Sequence, residues 1–448
     1  MNTPILDFVR AYAGTGTSRL HMPGHKGRGP VGCEAVDITE IAGADDLSCP
    51  DGVISRSEAN TTELFGSRHT FYSTGGSSQC VKAMLLLAAR RSKSRVVLAA
   101  RNAHKSFVHA CALLDLLPEW LYPEPGAGSL CACPVTADGL RRALDALEEP
   151  PCAVYITSPD YLGGIQDIKA LAAVAHEFGV PLLADNAHGA YLRFLIEDLH
   201  PISLGADMCC DSAHKTLSVL TGGAYLHVSR QSAWDFESDA REALGVFGSS
   251  SPSYLIMVSL DAMNARLAEN YRAELAGCIS RLDALKEALS DSGVPVAESD
   301  PLRLTIAAHS AGYTGFELAS ELRAHGTEPE FAGRDHLVMM FTPDVDEAAY
   351  ERVAAAFAGF NPRTPSPPLP LPAHGRRLLT PREALLAGRE RIAVNRAAGK
   401  VAASVAVSCP PAVPVAVMGE LISAENAHLM ELYGFTFVDV VKEKEPVV

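Results

Sequence analysis

An α/β fold with a mostly parallel central sheet is predicted for this chain, followed by a smaller α+β domain and a small C-terminal domain. Three observations predict it. From about residue 70 to 230, apolar strand-like runs alternate with amphipathic helical stretches, the pattern of a mostly parallel sheet. After residue 260 the composition and spacing become strongly helical, and at residues 361–375 the run NPRTPSPPLPLPAHG excludes both a helix interior and a central strand.

Taken in order, RVVLAA (95–100), AVYITS (153–158), VPLLADNA (180–187) and GAYLHVS (223–229) read as strands, and an apolar strand-like run also precedes DSAHKTL (211–217). Between two of them, IKALAAVAHEFG places Leu171, Val174, Ala175 and Phe178 on one helical face and stops at a glycine, which completes a βαβ unit. The stretch LDAMNARLAENYRAELAGCISRLDALKEALSDSG reads as one long helical connector into a region with strands LRLTIAA and HLVMMFT and the helix TGFELASELRAHG. The expected organisation is an N-terminal segment (1–60), a large domain (61–270), a small α+β domain (271–360), an extended linker (361–375) and a C-terminal domain (376–448). No internal repeat is visible.

With 448 residues, 48% of them hydrophobic, the chain can bury a sizeable core, and its net charge of -15 argues against a nucleic-acid backbone as the main partner. A protein acting on small molecules is expected. The 11 cysteines show no zinc-ligand spacing: Cys131 and Cys133 form C-x-C and Cys209 and Cys210 are adjacent, without a matching pair downstream. They read as buried or free thiols of a reducing cytosol, and no metal site is expected. MNTPILDFVRAYAG has no secretory pattern and no run approaches the roughly 20 apolar residues of a membrane span, so the cytoplasm is the expected location.

The chemistry concentrates in three places. FYSTGGSSQCVKAML (71–85) runs from paired glycines and serines into an apolar helical pattern, and Gly76, Ser77, Ser78 and Gln79 are candidates to cradle a phosphate at the helix N-terminus. It is not a P-loop, since no Gly-Lys-Ser/Thr follows, and a plain N-cap turn is the alternative. Asp185 closes the strand of VPLLADNAHGAY at the carboxyl edge, where ligands of open α/β sheets bind; a helix cap made by Asp185 is the alternative. Lys215 ends the apolar-flanked GADMCCDSAHK, where desolvation can turn an amine into a nucleophile toward carbonyls.

This set is what pyridoxal 5'-phosphate demands: a cradle for its phosphate, a carboxylate for its pyridine nitrogen and a lysine amine for its aldehyde. RNAHKS (101–106), directly after a strand, offers His104 as a ring to stack on the pyridine. The chain further resembles the ornithine/lysine/arginine decarboxylases among the fold-type I pyridoxal-phosphate enzymes, in the short bacterial form. The resemblance covers almost the whole chain and rests on LHMPGHKG, ITEIAGADDL, HTFYSTGGSS, RNAHKS, TSPDYLGGIQDI, DNAHGAY, SAHKTL, SSSPSYLIMVSLD, PREAL and CPPAVPVAVMGELI in that order. It implies the aspartate-aminotransferase-like fold of type I.

Carried over residue by residue, the resemblance implies that Lys215 holds the cofactor and Asp185 pairs with the ring nitrogen. It implies that His104 stacks on the ring, that Ala187 and His188 lie against its other face and edge, and that Ser77, Ser78, Ser212 and His214 reach the phosphate. Ser249 to Tyr254 would lie near the cofactor of a neighbouring subunit in a homodimer with shared active sites. The implied reaction is decarboxylation of arginine, lysine or ornithine, with Lys215 or His188 returning a proton to carbon. An aminotransferase, another amino-acid lyase of the same fold, and a catalytically silent relative are the alternatives. Asp45, Asp46 and Glu420 fall in segments the family places near the entrance, although a solvated face is the expected reading of each. The chain departs from the family at Asp160, where threonine is frequent, at Asn186, where glutamate is common, and at Ala412 and Met418, where glycine and proline are usual. The first two would flank the cofactor and bear on substrate and reaction.

Overall fold

A computed structural model describes residues 1–123, 129–405 and 412–442. Seven strands carry the sequence up to residue 230: β1 (His69–Ser73), β2 (Val96–Ala100), β3 (Leu117–Leu121), β4 (Val154–Thr157), β5 (Leu182–Asp185), β6 (Met208–Asp211) and β7 (Ala224–Val228). The chain divides into two compact, interleaved units. One comprises Met1–Ser94, Cys152–Ser158 and Ile168–Leu275, and the other Arg95–Pro151, Pro159–Asp167 and Ala276–Val448.

In the first unit β4, β5 and β6 run parallel, with Thr157 beside Asp185 and Asp185 beside Cys210, while β7 runs antiparallel to both β6 and β1. Every residue of β4, β5 and β6 is buried, as expected for parallel strands covered on both faces. Helix Ile168–Glu177 supplies the crossover between β4 and β5. It buries Leu171, Val174 and Ala175 of the predicted face, and Gly179 at φ 69° follows it. Because β4, β5 and β6 are parallel, their carboxyl ends open on one edge, and Thr157, Asp185 and the turn Ser212–Lys215 leave the sheet there.

In the second unit β2 and β3 form a parallel pair. Four short strands, β8 (Val296–Ala297), β9 (Arg303–Ile306), β10 (Phe331–Ala332) and β11 (Leu337–Met340), make an antiparallel sheet in the order β10-β11-β9-β8. Helices Gly315–Ala324 and Glu347–Ala356 belong to this unit; Thr314 and Glu317 close a capping box on the first. Residues 361–375 contain neither helix nor strand, and this segment is tied down: Leu369 N donates to Asp335 Oδ2 (3.0 Å) and Gly375 N to the Tyr122 hydroxyl (2.9 Å). Beyond it β12 (Arg376–Arg377) pairs with β14 (Glu420–Leu421), and β13 (Arg389–Ala393) with β15 (Phe437–Val441), all antiparallel.

The helical stretch expected as one connector is two helices, Tyr254–Ala268 and Tyr271–Asp291. Glu269 (φ -98°, ψ -87°) breaks the first, and the Asn270 carbonyl accepts from the amides of Ala273 and Glu274 (both 3.0 Å) to start the second. Among the described residues no helix is long and apolar enough to cross a membrane. The ten described cysteines are free thiols, eight of them buried; Cys409 lies outside the described residues.

Candidate active site

β6 gives out at Asp211, Ser212 follows, and the single turn Ala213–Thr216 carries Lys215 back toward the sheet edge. There Lys215 Nζ lies 3.0 Å from Nε2 of His188, which is 2% exposed. With the amine protonated, Nε2 of His188 is the acceptor in this contact. Three residues before it, the Asp185 carboxylate accepts from the Tyr155 hydroxyl at Oδ2 (2.8 Å), and from Ala187 N (3.2 Å) and the Cys210 thiol (3.6 Å) at Oδ1. Asp185 caps no helix; the 3-10 turn Ala190–Phe194 starts from Gly189.

The cradle is formed where helix Ser77–Arg90 begins. Its N-cap is Gly76 at φ 71°, ψ 178°, a conformation essentially confined to glycine, and no side chain caps the helix. A Cβ at Gly76 would meet nothing within 4 Å, so the backbone conformation and not crowding is what calls for glycine here. The Ser212 hydroxyl donates to that of Ser77 (2.7 Å), joining the β6 turn to this helix start, and Ser78 follows in the first turn. Gln79 braces the turn: Oε1 accepts from the Ser73 hydroxyl (2.6 Å) and Gly75 N (3.2 Å), while Nε2 donates to the Leu244 carbonyl (2.8 Å). His214 Nδ1 lies 3.0 Å from the Gly223 carbonyl; burial, with the neighbouring Lys215 charge, holds its pKa below the usual imidazole value.

These residues fit the predicted cofactor. Uncapped helical amides with serine hydroxyls suit a phosphate, and Lys215 and Asp185 stand at the same sheet edge. Thr157 adds an observation: 2% exposed and beside Asp185 in the register, its hydroxyl has no hydrogen-bond partner, so the site holds a buried polar atom still to be satisfied.

Elsewhere the geometry gives the other singled-out residues partners within the protein. His104, in the second unit, caps helix Lys105–Leu114, its Nδ1 accepting from Ser106 N (3.2 Å). Asp160 spends Oδ1 on Leu162 N (2.9 Å) and Gly164 N (2.8 Å) of its own turn. Asn186 Nδ2 donates to Asp211 Oδ1 (2.7 Å). Asp45 is no solvated entrance acid, since it accepts from the amides of Asp46, Asp51, Gly52, Ile54 and Ser55, and Asp46 accepts from Ser48 N. Glu420, 4% exposed, is a buried partner of Arg101. Ser249 to Ser251 are exposed, and Ser253 caps helix Tyr254–Ala268 through Ile256 N (3.4 Å). Ala412 and Met418 are both buried.

Sequence reasoning missed Tyr155, Cys210 and a buried network around Asp211. Strand alternation was the available signal for Tyr155, since it shares a face of β4 with Thr157. Asp211 Oδ2 meets His200 Nε2 (3.0 Å) and His227 Nε2 (3.1 Å), and the imidazoles, against the cost of burial, hold its carboxyl well below the usual range. His200, Cys209 and Asp211 are close enough to hold a metal ion, but Asp211 already satisfies both oxygens within the protein.

Comparison with known proteins bears on this site. The family described as Orn/Lys/Arg decarboxylase, major domain, matches residues 3–299. An uncharacterized protein, YaaO, of Bacillus subtilis is 29% identical over 453 residues, covering 95% of this chain and 93% of its own. An arginine decarboxylase of the same organism is 28% identical over 461 residues, covering 95% and 92%. In three dimensions the chain is similar to the lysine decarboxylase LdcF of Francisella novicida, with a TM-score of 0.80 at 17% identity over 98% of this chain and 81% of that one.

Proposed function

The chain belongs to the Orn/Lys/Arg decarboxylase family of pyridoxal-phosphate-dependent amino-acid decarboxylases, and from that premise we propose that it converts a basic amino acid to the corresponding amine and CO2. Arginine, lysine and ornithine are the candidate substrates. Arginine is the first to test, because it is the substrate named for the Bacillus subtilis relative that matches over nearly its full length.

The observation that carries this reading is the 3.0 Å contact of Lys215 with His188 at the sheet edge where Asp185 also ends. When bound, pyridoxal phosphate supplies an aldehyde that takes up an amine and a ring that accepts the electron pair left by a departing group. Lys215 would be the amine that anchors it, and Asp185 would pair with its ring nitrogen. Ser77, Ser78, Ser212 and His214, with the helix amides behind Gly76, would hold its phosphate, while Gln79 would keep that turn in shape. Lys215 and His188, 3.0 Å apart, would be neighbouring proton carriers beside the bound substrate. As the carboxyl group leaves as CO2, one of the pair delivers a proton to the same carbon, so that one proton is consumed per turnover. A site that holds the carboxyl group perpendicular to the ring selects this bond over the Cα–H bond.

We place the enzyme in the cytoplasm as a homodimer with shared active sites, the exposed Ser249–Ser251 segment and Tyr254 near the neighbouring cofactor. The test is a screen of arginine, lysine and ornithine for CO2 and amine, with the visible absorbance of the purified protein, and light scattering for the dimer. CO2 release with an absorbance band lost in Lys215→Ala supports the reading. A band without CO2, and with turnover that depends on a keto acid, would replace it by transamination.

A further inference from the structure

We propose that Tyr155 is a positioning residue of this reaction: its hydroxyl, 2.8 Å from Asp185 Oδ2, fixes the orientation of the carboxylate as the acceptor for the cofactor's ring nitrogen. The inference rests on the reading above, in which Asp185 faces that nitrogen, and assigns a role to a residue that reading leaves unused.

Tyr155 is fully buried and Asp185 is 3% exposed, so water does not compete for the contact. A carboxylate offers about four acceptor sites. At Asp185 the protein fills three: Ala187 N and the Cys210 thiol on Oδ1, and Tyr155 on Oδ2. The remaining site therefore belongs to Oδ2, the oxygen the tyrosine holds. All three donors are neutral. Burial pushes the Cys210 thiol well above its usual range, so it stays an S–H donor, and the positive counterpart of the carboxylate is left to be supplied by a protonated ring nitrogen. The register explains why position 155 can do this: Tyr155 and Thr157 share one face of β4, and Thr157 is directly beside Asp185. With the phenol hydrogen bond in place, the proton between carboxylate and ring stays on the ring, the state that accepts electrons best. Without it, the carboxylate is free to turn away from that nitrogen.

The experiment uses the holoenzyme loaded with cofactor carrying ¹⁵N in the ring, and reads the ring-nitrogen chemical shift by NMR together with kcat and KM. The variants are Tyr155→Phe, which removes only the hydroxyl, and Asp185→Asn. Residue-specific 3,5-difluorotyrosine at position 155, a stronger donor of the same shape, keeps the test open where the phenylalanine variant folds poorly. The wild type is expected to give the shift of a protonated ring, Tyr155→Phe a shift toward the unprotonated value, and the fluorinated side chain none in that direction. kcat of Tyr155→Phe should fall about tenfold or more, the size of one hydrogen bond to a charged group, with KM little changed. A wild-type ring shift and kcat in Tyr155→Phe, beside an altered shift in Asp185→Asn, overturn the inference. A shift that Asp185→Asn also leaves unaltered overturns instead the placement of Asp185 on which it rests.

Discussion

Lys215 Nζ and His188 Nε2 are 3.0 Å apart, although 27 residues separate them in the chain. β5 and β6 run parallel, so the residues that follow each strand arrive at one edge, and a turn after each brings the two nitrogens together. A proton carrier beside the anchoring amine should matter for turnover more than for binding. His188→Gln is expected to lower kcat by about 10²-fold, within the range for a removed acid–base group, with a smaller change in KM. Steady-state kinetics with the confirmed substrate checks this, and a raised KM with kcat unchanged would assign His188 to substrate binding.

At Gly76 the backbone occupies a region that L side chains avoid, with open space where a Cβ would go. The strain of Gly76→Ala is therefore conformational and costs about 1–3 kcal/mol, relieved by rotating the peptide that presents the first helical amides. The expected result is a dissociation constant for pyridoxal phosphate raised at least tenfold, measured by titrating the apoprotein and following absorbance. Unchanged affinity would remove this turn from the phosphate site.

Asp160 gives a pH dependence with a defined sign. Burial pushes its carboxyl up to about 6, against the pull of the Gly164 and Leu162 amides and the Arg303 guanidinium. Unfolded, it titrates near the ordinary value of about 3.9. A raised carboxyl pKa means that the native state binds the proton more tightly, so the associated stability is complete below about pH 4 and is lost as pH rises through 6. Asp160→Asn keeps an oxygen for the two amides that both bind Oδ1. Relative to wild type, the variant should gain on the order of 3 kcal/mol between pH 4 and 7 in denaturant titrations. Parallel stability curves would show that Asp160 does not carry this proton.

Much of the fold was legible because buried parallel strands are continuous apolar runs, as in AVYITS and VPLLADNA. β1 and β3 escaped notice because HTFYS and LPEWL interrupt that pattern with His69, Thr70, Pro118 and Glu119. In the site, Lys215, Asp185 and the Gly76–Ser78 turn could be named because their chemistry is unusual at strand ends. Tyr155 could not, because a tyrosine in an apolar strand looks like core until the structure places its hydroxyl 2.8 Å from Asp185 Oδ2, two positions beyond its register partner Leu183. Glu420 was read as an entrance or solvated acid for a related reason: Arg101 is 319 positions away, and nothing local to either residue announces the pair.

That pair supports the last prediction. Within the second unit, Arg101 Nη1 and Nη2 meet Glu420 Oε1 and Oε2 at 2.6 and 2.7 Å, with both side chains buried. The guanidinium lies 4.7 Å from the Trp120 ring centroid and 5.3 Å from that of Tyr122, and Glu420 Oε2 also accepts from Val417 N (2.9 Å). The pair therefore joins the end of β2 to the first residue of β14. Burying both charges has a desolvation cost that their attraction roughly offsets, but removing one leaves the other buried alone. Glu420→Gln should therefore destabilise by about 3–5 kcal/mol, and so should Arg101→Met, whereas the double variant Arg101→Met/Glu420→Leu should lose less than the sum of the two. Trp120 fluorescence in a Trp234→Phe background follows the unfolding of this region in denaturant. Additive losses in the double variant would show that the two charges do not depend on each other.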